Sequence, residues 1–213
     1  MIYHTYNRSI ADFEIFGRDS DSNRIIEAIR YYQYDHPLTR LSQFLRLSDL
    51  SRDREYISMR SDPRRKKIVD VIAYCIMPGH LHIAIQELKD NSVSTYTANV
   101  LNSYARYFNS KYNRKGPLWE SRTKKVLVNT DEQLLYLTMY IHLNPVAAGL
   151  VKKPEDWPYS SYKEYIKQGC GNYGICNYSS LININPKAYR KYVESNIEYQ
   201  KDLARQKAIS NTS

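Results

Sequence analysis

Two histidines spaced two residues apart are the first side chains in this sequence whose types suggest chemistry. His80 and His82 lie in the segment HLHIAIQ, where apolar residues alternate with the others, a pattern typical of a strand with one buried face. Both imidazoles then leave the same face and can share one metal ion. The competing interpretation is a pair of polar strand residues facing solvent, because His-x-His also arises by chance.

A second candidate group lies on a helix predicted over residues 131–144. Its core stripe has the spacing i, i+3, i+4, i+7 and consists of Leu134, Leu137, Thr138 and Ile141. Tyr136, Tyr140 and Asn144 form a separate stripe at i, i+4, i+8. If that stripe faces the histidine strand, Asn144 supplies an oxygen ligand and Tyr140 a nucleophile. The alternative is that Tyr140, one of 21 tyrosines, packs with its hydroxyl at the surface.

The elements that must position these groups are strands and helices of one domain. Strands are predicted near residues 2–7, 68–77, 80–86 and 124–128, and the proline and glycine at 78–79 join two of them into a hairpin at the middle of the sheet. Helices are predicted around residues 25–32, 38–50, 92–108, 130–144 and from Pro186 onward. Pro37 closes the first of these, and the fourth must end by Asn144 because Pro145 follows.

Charge predicts a polyanionic partner. The 213 residues carry a formal net charge of +9, which favours nucleic acid, although many basic proteins bind nothing specific. The surplus is concentrated at Arg52–Lys67 and Asn109–Lys125. The second stretch also holds Tyr112 and Trp119, and basic residues mixed with aromatic rings suit single strands better than duplex.

Composition excludes several classes of protein. No apolar run approaches the roughly 20 residues of a membrane span, and the first residues lack the layout of a signal peptide. Three cysteines are too few for a disulfide framework. Cys170 and Cys176 are poorly spaced for zinc without other ligands and are interpreted as ordinary thiols. We therefore expect a cytoplasmic, nucleoid-associated protein without membrane partners.

Five motifs in this order resemble the HUH single-tyrosine transposases, specifically the REP-associated tyrosine transposases and their insertion-sequence relatives. They are YNR (6–8), MPGHLH (77–82), SYARYFNSKYNRKGPLW (103–119), YIHLNPVAAGLV (140–151) and DWPYSSY (156–162). The resemblance implies an α+β fold, an antiparallel β-sheet with packed helices in the ferredoxin-like or RRM-like manner of HUH endonucleases. The transposase domain would span residues 1–166, with a basic, exposed insertion at about 38–67, followed by a C-terminal extension, 167–213, irregular and then helical.

The resemblance also implies a reaction. His80 and His82 would be ligands of Mg²⁺ or Mn²⁺, Tyr140 the catalytic nucleophile, and Asn144 matches the position of a third ligand. The expected activity is cleavage and strand transfer of single-stranded DNA through a 5′-phosphotyrosine, as in DNA transposition. The expected partner is a hairpin of the REP-like palindrome type. The catalytic unit would be a monomer or a homodimer that exchanges the Tyr140 helix.

Candidate DNA contacts come from the basic stretches and their surroundings. They are Arg8, Arg64, Arg65, Lys66, Lys67, Arg114, Lys115, Trp119, Arg122 and Lys124. In the motif YIHLNP, Met139 precedes the tyrosine where many relatives have arginine. Two alternatives stay open: a domesticated, non-catalytic hairpin-binding protein of the same fold, and a structural zinc protein.

Overall fold

The computed structural model describes residues 1–35, 39–63, 65–167 and 174–210. Its strands are β1 (Ile2–Arg8), β2 (Val69–Met77), β3 (His80–Glu87) and β4 (Lys124–Val128). Its helices are α1 (Asp19–Tyr31), α2 (Leu41–Phe44), α3 (Asp49–Ser61), α4 (Ser92–Lys111), α5 (Asp131–Ala147), α6 (Tyr162–Tyr165), α7 (Pro186–Ser195) and α8 (Ile197–Ser210). Single 3₁₀ turns lie at Ile10–Asp12 and Pro154–Asp156.

The four strands form one antiparallel sheet in the order β2-β3-β1-β4. With helices between β1 and β2 and between β3 and β4, this is the ferredoxin-like βαββαβ arrangement. The predicted fold class, an antiparallel sheet with packed helices, is therefore confirmed.

The predicted place of the hairpin at the middle of the sheet is wrong for one of its strands, because β2 is an edge strand. Its outer edge is covered by a remote segment: the Ile76 amide donates to the Tyr159 carbonyl at 2.9 Å, and the Ser161 amide to the Tyr74 carbonyl at 3.0 Å. Every residue of β2 is buried as a result. An edge strand that is covered on both faces and along its edge has the apolar sequence of a central one.

Helices cover the two faces of the sheet and create two buried clusters. Leu81, Ile83 and Ile85 of β3 pack in the cluster that includes the apolar residues of α1 and α4. Ala84 lies on the opposite face, in the cluster that includes Leu134 and the other apolar residues of α5. Side chains alternate along β3, so His80 and His82 lie on the face covered by α5.

The region between α1 and β2 differs from its prediction. Instead of one helix over 38–50, α2 is a four-residue turn and α3 begins at Asp49; residues 36–38, which include Pro37, lie outside the described part. The stretch 52–67 is also not wholly exposed, because Tyr56 and Met59 are buried. The Tyr56 ring packs edge-on against Phe44, with ring centroids 4.9 Å apart.

Two helix ends also differ from their predictions. α5 continues through Pro145 to Ala147, because a proline this close to the end removes a single backbone hydrogen bond. The Ala148 amide still donates to the Asn144 carbonyl at 2.9 Å, and Gly149, with φ +71°, ends the helix. The single final helix expected after Pro186 is two helices separated at Asn196. None of the helices in the described ranges is long and apolar enough to cross a membrane.

Candidate active site

The sheet register places both histidines of the His-x-His pair beside residues of β1. His80 lies opposite Arg8, and His82 lies opposite Tyr6. The two imidazole rings are edge-on to one another with centroids 5.2 Å apart. The pair therefore points to the face on which α5 packs, and it is not a pair of residues directed to open solvent, since His82 is only 8% exposed.

α5 brings Tyr140 to these histidines. The Tyr140 ring lies edge-on to His82, with centroids 5.7 Å apart. One turn later, Asn144 donates from Nδ2 to the Tyr140 carbonyl at 3.0 Å, and its side chain also hydrogen-bonds the Tyr140 side chain. Tyr136, one turn earlier, is 41% exposed. The polar stripe predicted from the sequence thus faces the histidine strand at Tyr140 and opens to solvent at Tyr136.

The start of α5 is fixed by side chains of its N-cap and its first turn. Thr130 Oγ1 accepts from the Gln133 amide at 3.1 Å, and Gln133 Oε1 accepts from the Asn129 amide at 2.9 Å. The Gln133 amide, which the helix start leaves without a backbone partner, and the Asn129 amide just before the helix are thereby satisfied, in a variant of the capping box. The cap sets where the helix begins relative to the sheet and hence where Tyr140 lies.

His142 anchors the opposite side of α5, and sequence reasoning gave it no role. It is fully buried, with Nδ1 2.6 Å from the Tyr189 hydroxyl and Nε2 2.7 Å from Ser161 Oγ. Burial lowers the pKa of His142 to about 3, so the ring is neutral. Through His142, the helix that carries Tyr140 is tied both to α7 and to the segment that covers the edge of β2.

We expect Tyr189→Phe to destabilise the fold by about 1–3 kcal/mol, because it leaves His142 Nδ1 buried without its hydroxyl partner. Urea unfolding at neutral pH measures this change. Tyr199→Phe is the matched control, since Tyr199 on α8 is 54% exposed. Equal unfolding midpoints for the two variants would contradict the anchoring role of His142.

His4 is the site residue that sequence reasoning missed. Its Nε2 lies 3.0 Å from His82 Nδ1, and its ring lies edge-on to Tyr140 with centroids 6.1 Å apart. The alternation of Ile2, His4 and Tyr6 along β1 was the available signal, because it places His4 and Tyr6 on one face of the sheet. Only the pairing of β1 with β3 brings that face to His82.

Burial sets the protonation of the site. It lowers the pKa of His4 and of His80 to about 4, with the charge of Arg8 adding to the effect at His80. Both rings are therefore neutral near pH 7 and keep a nitrogen lone pair. Burial raises the pKa of Tyr140, and the hydrogen bond from Asn144 partly opposes that rise. The phenol is accordingly protonated at neutral pH.

The donor set decides which metal the site suits. Within the described ranges, no group of three or more histidine, cysteine, aspartate or glutamate side chains is placed to hold a metal ion. A metal ion held by His80 and His82 could take the Asn144 amide oxygen as a further ligand and leave positions for water or substrate. Such a mixed nitrogen and oxygen set, made of neutral groups, fits Mg²⁺ or Mn²⁺ bound together with a phosphate.

Three of the predicted DNA contacts lie at the His80 end of the sheet. Arg8 is 56% exposed in its side chain and pairs with Asp12 at 3.2 Å. Lys124 lies opposite Tyr6 in the register, with Nζ 5.9 Å from that ring's centroid. Arg122 is exposed just before β4. These cations can approach a phosphate chain that reaches the histidine face.

The basic residues Arg65, Lys66 and Lys67 lie at the other end of the sheet. β2 begins at Val69 opposite Glu87, seven residues along β3 from His80, or roughly 23 Å. Arg65 is buried, with Nη1 2.9 Å from Glu55 Oε1, and Lys67 pairs with Asp70. Lys66 is exposed, and Arg64 lies outside the described residues. The fold thus places this group away from the histidines.

The remaining predicted contacts lie in the loop before β4. Arg114 Nη1 donates to the Pro117 carbonyl at 2.8 Å and bonds Asn109 Oδ1 at 3.2 Å, which braces the loop. Trp119 donates to the Leu101 carbonyl at 3.1 Å and packs against the core, so its ring is not an open stacking platform. Lys115 is exposed.

Residues 49–144 match the family described as "Transposase IS200 like". Over 109 residues the chain is 34% identical to a protein of Haemophilus influenzae named as a REP-associated tyrosine transposase. The chain resembles the REP-associated tyrosine transposases. That alignment covers 46% of this chain and 61% of the relative, so the chain spans about three fifths of the relative's length.

A solved structure extends the likeness to the REP-associated transposase fold. It is described as a REP-associated tyrosine transposase bound to a REP hairpin, and it matches with a TM-score of 0.51 at 17% identity, covering 83% of this chain and 84% of the other. The family match over 49–144 begins inside the predicted insertion and includes His80, His82, Tyr140 and Asn144. β1, with His4, lies outside it. Met139, which stands where many of these transposases have arginine, is fully buried.

Proposed function

We propose that this protein cleaves and rejoins single-stranded DNA through a 5′-phosphotyrosine on Tyr140, with Mg²⁺ or Mn²⁺ held by His80, His82 and Asn144. The observation that carries the proposal is the Tyr140 ring edge-on to His82, 5.7 Å between centroids, on the face from which His80 also projects. A nucleophile beside a metal-ligand pair is the arrangement that phosphoryl transfer requires. The similarity to tyrosine transposases supports the same reaction.

The reaction is a displacement at phosphorus. The Tyr140 hydroxyl oxygen forms a bond to the phosphorus, the bond from phosphorus to the 3′ oxygen breaks, and the 3′ oxygen takes a proton to become a 3′-OH. The proton of the tyrosine is released. A divalent ion bound at the histidines would supply charge neutralisation of the phosphate oxygens. Arg8, at the same end of the sheet, adds a fixed positive charge beside the anionic phosphate.

Protonation limits the nucleophile until DNA binds. Burial raises the pKa of Tyr140, so the free protein holds it as a phenol of low reactivity. His80, as a neutral ring, can bind a cation without first losing a proton. Asn144, hydrogen-bonded to Tyr140, links the nucleophile to the ligand set. The Tyr140 phenol is therefore unreactive in the free protein in water. The complex of the protein with the metal ion and DNA is the reactive state.

The covalent link allows joining without ATP. The phosphotyrosine replaces the broken phosphate ester bond with a new one to the tyrosine oxygen. A second 3′-OH can therefore attack the phosphorus and expel Tyr140. The result is strand transfer, as in transposition, and not hydrolysis. One nucleophilic tyrosine handles one strand at a time, which favours a single-stranded substrate.

A folded hairpin of the REP-like palindrome type is the proposed partner. It is supported by the fold match to a transposase that was solved with a REP hairpin. Arg8, Arg122 and Lys124 would hold its backbone phosphates near the site. Such contacts position the strand but do not read its sequence.

Lys124→Gln is expected to weaken hairpin binding by several-fold and to lower the slope of log affinity against log salt by about 0.7–0.9, because one phosphate contact is lost. Lys66→Gln is the matched control, an exposed lysine at the far end of the sheet. Fluorescence anisotropy over a range of salt concentrations measures both. An unchanged slope for Lys124→Gln would show that Lys124 does not contact the DNA phosphates.

Incubation with a hairpin library labelled at both ends, in Mn²⁺, tests the proposed activity. A covalent species that persists on a denaturing gel is expected to carry the label of the 3′ fragment, joined through its 5′ phosphate, while the 5′ fragment is released with a free 3′-OH. Hairpin binding without any adduct would instead favour the alternative, a non-catalytic hairpin-binding protein.

A further inference from the structure

The contact between His4 and His82 has the geometry of a hydrogen bond. The two nitrogens, His4 Nε2 and His82 Nδ1, are 3.0 Å apart, and the rings are inclined by only 24° with centroids 5.2 Å apart. Rings joined end to end by one N–H···N bond at that distance have centroids about 5.3 Å apart, whereas two rings bound to one ion with the same 3.0 Å between their nitrogens would have centroids about 4.6 Å apart. The nitrogens therefore face each other, and His4 is not placed as a co-ligand.

The hydrogen bond also couples the tautomer of His82 to that of His4. One of the two nitrogens must carry the proton. If His82 Nδ1 carries it and donates to His4, then Nε2 of His82 presents a lone pair, the form that binds a metal. The opposite assignment would place a proton on Nε2 of His82 and block it. Metal-bound histidines commonly donate their second ring N–H to a neighbouring acceptor that fixes ring orientation.

We propose that His4 is a positioning residue that accepts a hydrogen bond from His82 Nδ1 and so holds His82 in the orientation and tautomer that bind the metal through Nε2. This inference rests on the proposed metal site. His4 is well placed for the role because Tyr6, 5.3 Å away between centroids, and Tyr140, at 6.1 Å, pack around its ring. β1 carries His4 on the sheet itself, so the acceptor is fixed by backbone pairing with β3.

Mn²⁺ binding to the protein without DNA tests the role through affinity, with free Mn²⁺ measured by electron paramagnetic resonance. We expect His4→Phe, which keeps a flat ring but has no acceptor, to raise the dissociation constant about 10–100-fold. His4→Gln, whose Oε1 can accept from His82, should stay within about threefold of wild type. Tyr6→Phe is the control on the same strand face. An unchanged affinity in His4→Phe overturns the inference.

Nitrogen-15 NMR of the metal-free wild type is the second measurement and needs no variant to fold. His82 protonated on Nδ1 is the expected result, and His82 protonated on Nε2 overturns the inference. The two failures are distinguishable. Wild type that binds no Mn²⁺ refutes the proposed metal site, while wild type that binds Mn²⁺ together with an unaffected His4→Phe refutes only the role of His4.

Discussion

Tyr140→Phe is expected to abolish the covalent DNA adduct and to lower strand transfer by at least about 10³-fold, because it removes the oxygen that attacks phosphorus in the proposed cleavage step. Hairpin affinity should stay within about twofold of wild type, since the ring and its packing against His82 and His4 are retained. The measurement pairs a denaturing gel for the adduct with anisotropy for binding.

Tyr136→Phe is the matched control for this change. Tyr136 lies one turn earlier on α5, is 41% exposed, and its hydroxyl accepts from Gln200 Nε2 at 3.1 Å. It should form adduct at the wild-type rate. An adduct that survives in Tyr140→Phe but disappears in Tyr136→Phe would show that Tyr136, and not Tyr140, is the nucleophile.

Removal of either histidine is the second large effect. We expect His80→Ala and His82→Ala each to weaken Mn²⁺ binding by more than about 100-fold and to reduce adduct formation to the level seen with chelator present, since each deletes a proposed ligand. Calorimetric titration with Mn²⁺ and the adduct gel measure the two quantities independently. Excess EDTA added to wild type should give the same loss of adduct.

Gln86→Ala controls for general damage to β3, because Gln86 lies on the same strand face near its far end, opposite Ile2. It should bind Mn²⁺ and form adduct as wild type does. Adduct formation by wild type in excess chelator would show that the reaction proceeds without a metal ion, and the histidines would then need another role.

Local periodicity was sufficient to predict most of the elements around the site. Alternation predicted β1 and β3, and helical spacing predicted α4 and the buried stripe of α5. The edge position of β2 could not be predicted in this way. Its edge is covered by residues 159–161, more than 80 positions away, and a covered edge strand is as apolar as a central one.

The two histidines that were missed show the same limit. His4 meets a partner 78 residues away, and His142 meets partners 47 and 19 residues away. None of these separations corresponds to the repeat of a strand or a helix. The contacts are therefore visible only in the tertiary structure. His80 and His82 could be predicted because a strand puts residues i and i+2 on one face irrespective of the rest of the fold.

Charge was the least informative signal. Net charge cannot show which cations the fold neutralises, and Arg65 is paired with Glu55 and buried. Lys66 is exposed but lies far from the histidines, whereas Arg8 and Lys124 lie near them because β1 joins β3 to β4. The sheet order, rather than the size of the surplus, decides which basic residues can meet DNA at the site.

The most direct test of the account is to locate the covalent bond. The protein would be incubated with a cleavable hairpin and Mn²⁺, digested with trypsin and analysed by fragmentation mass spectrometry of residues 126–152, a single tryptic peptide that contains both tyrosines of the α5 stripe. The account predicts an oligonucleotide joined through its 5′ phosphate to Tyr140. A phosphodiester link on Tyr136, or on any other residue, would contradict it.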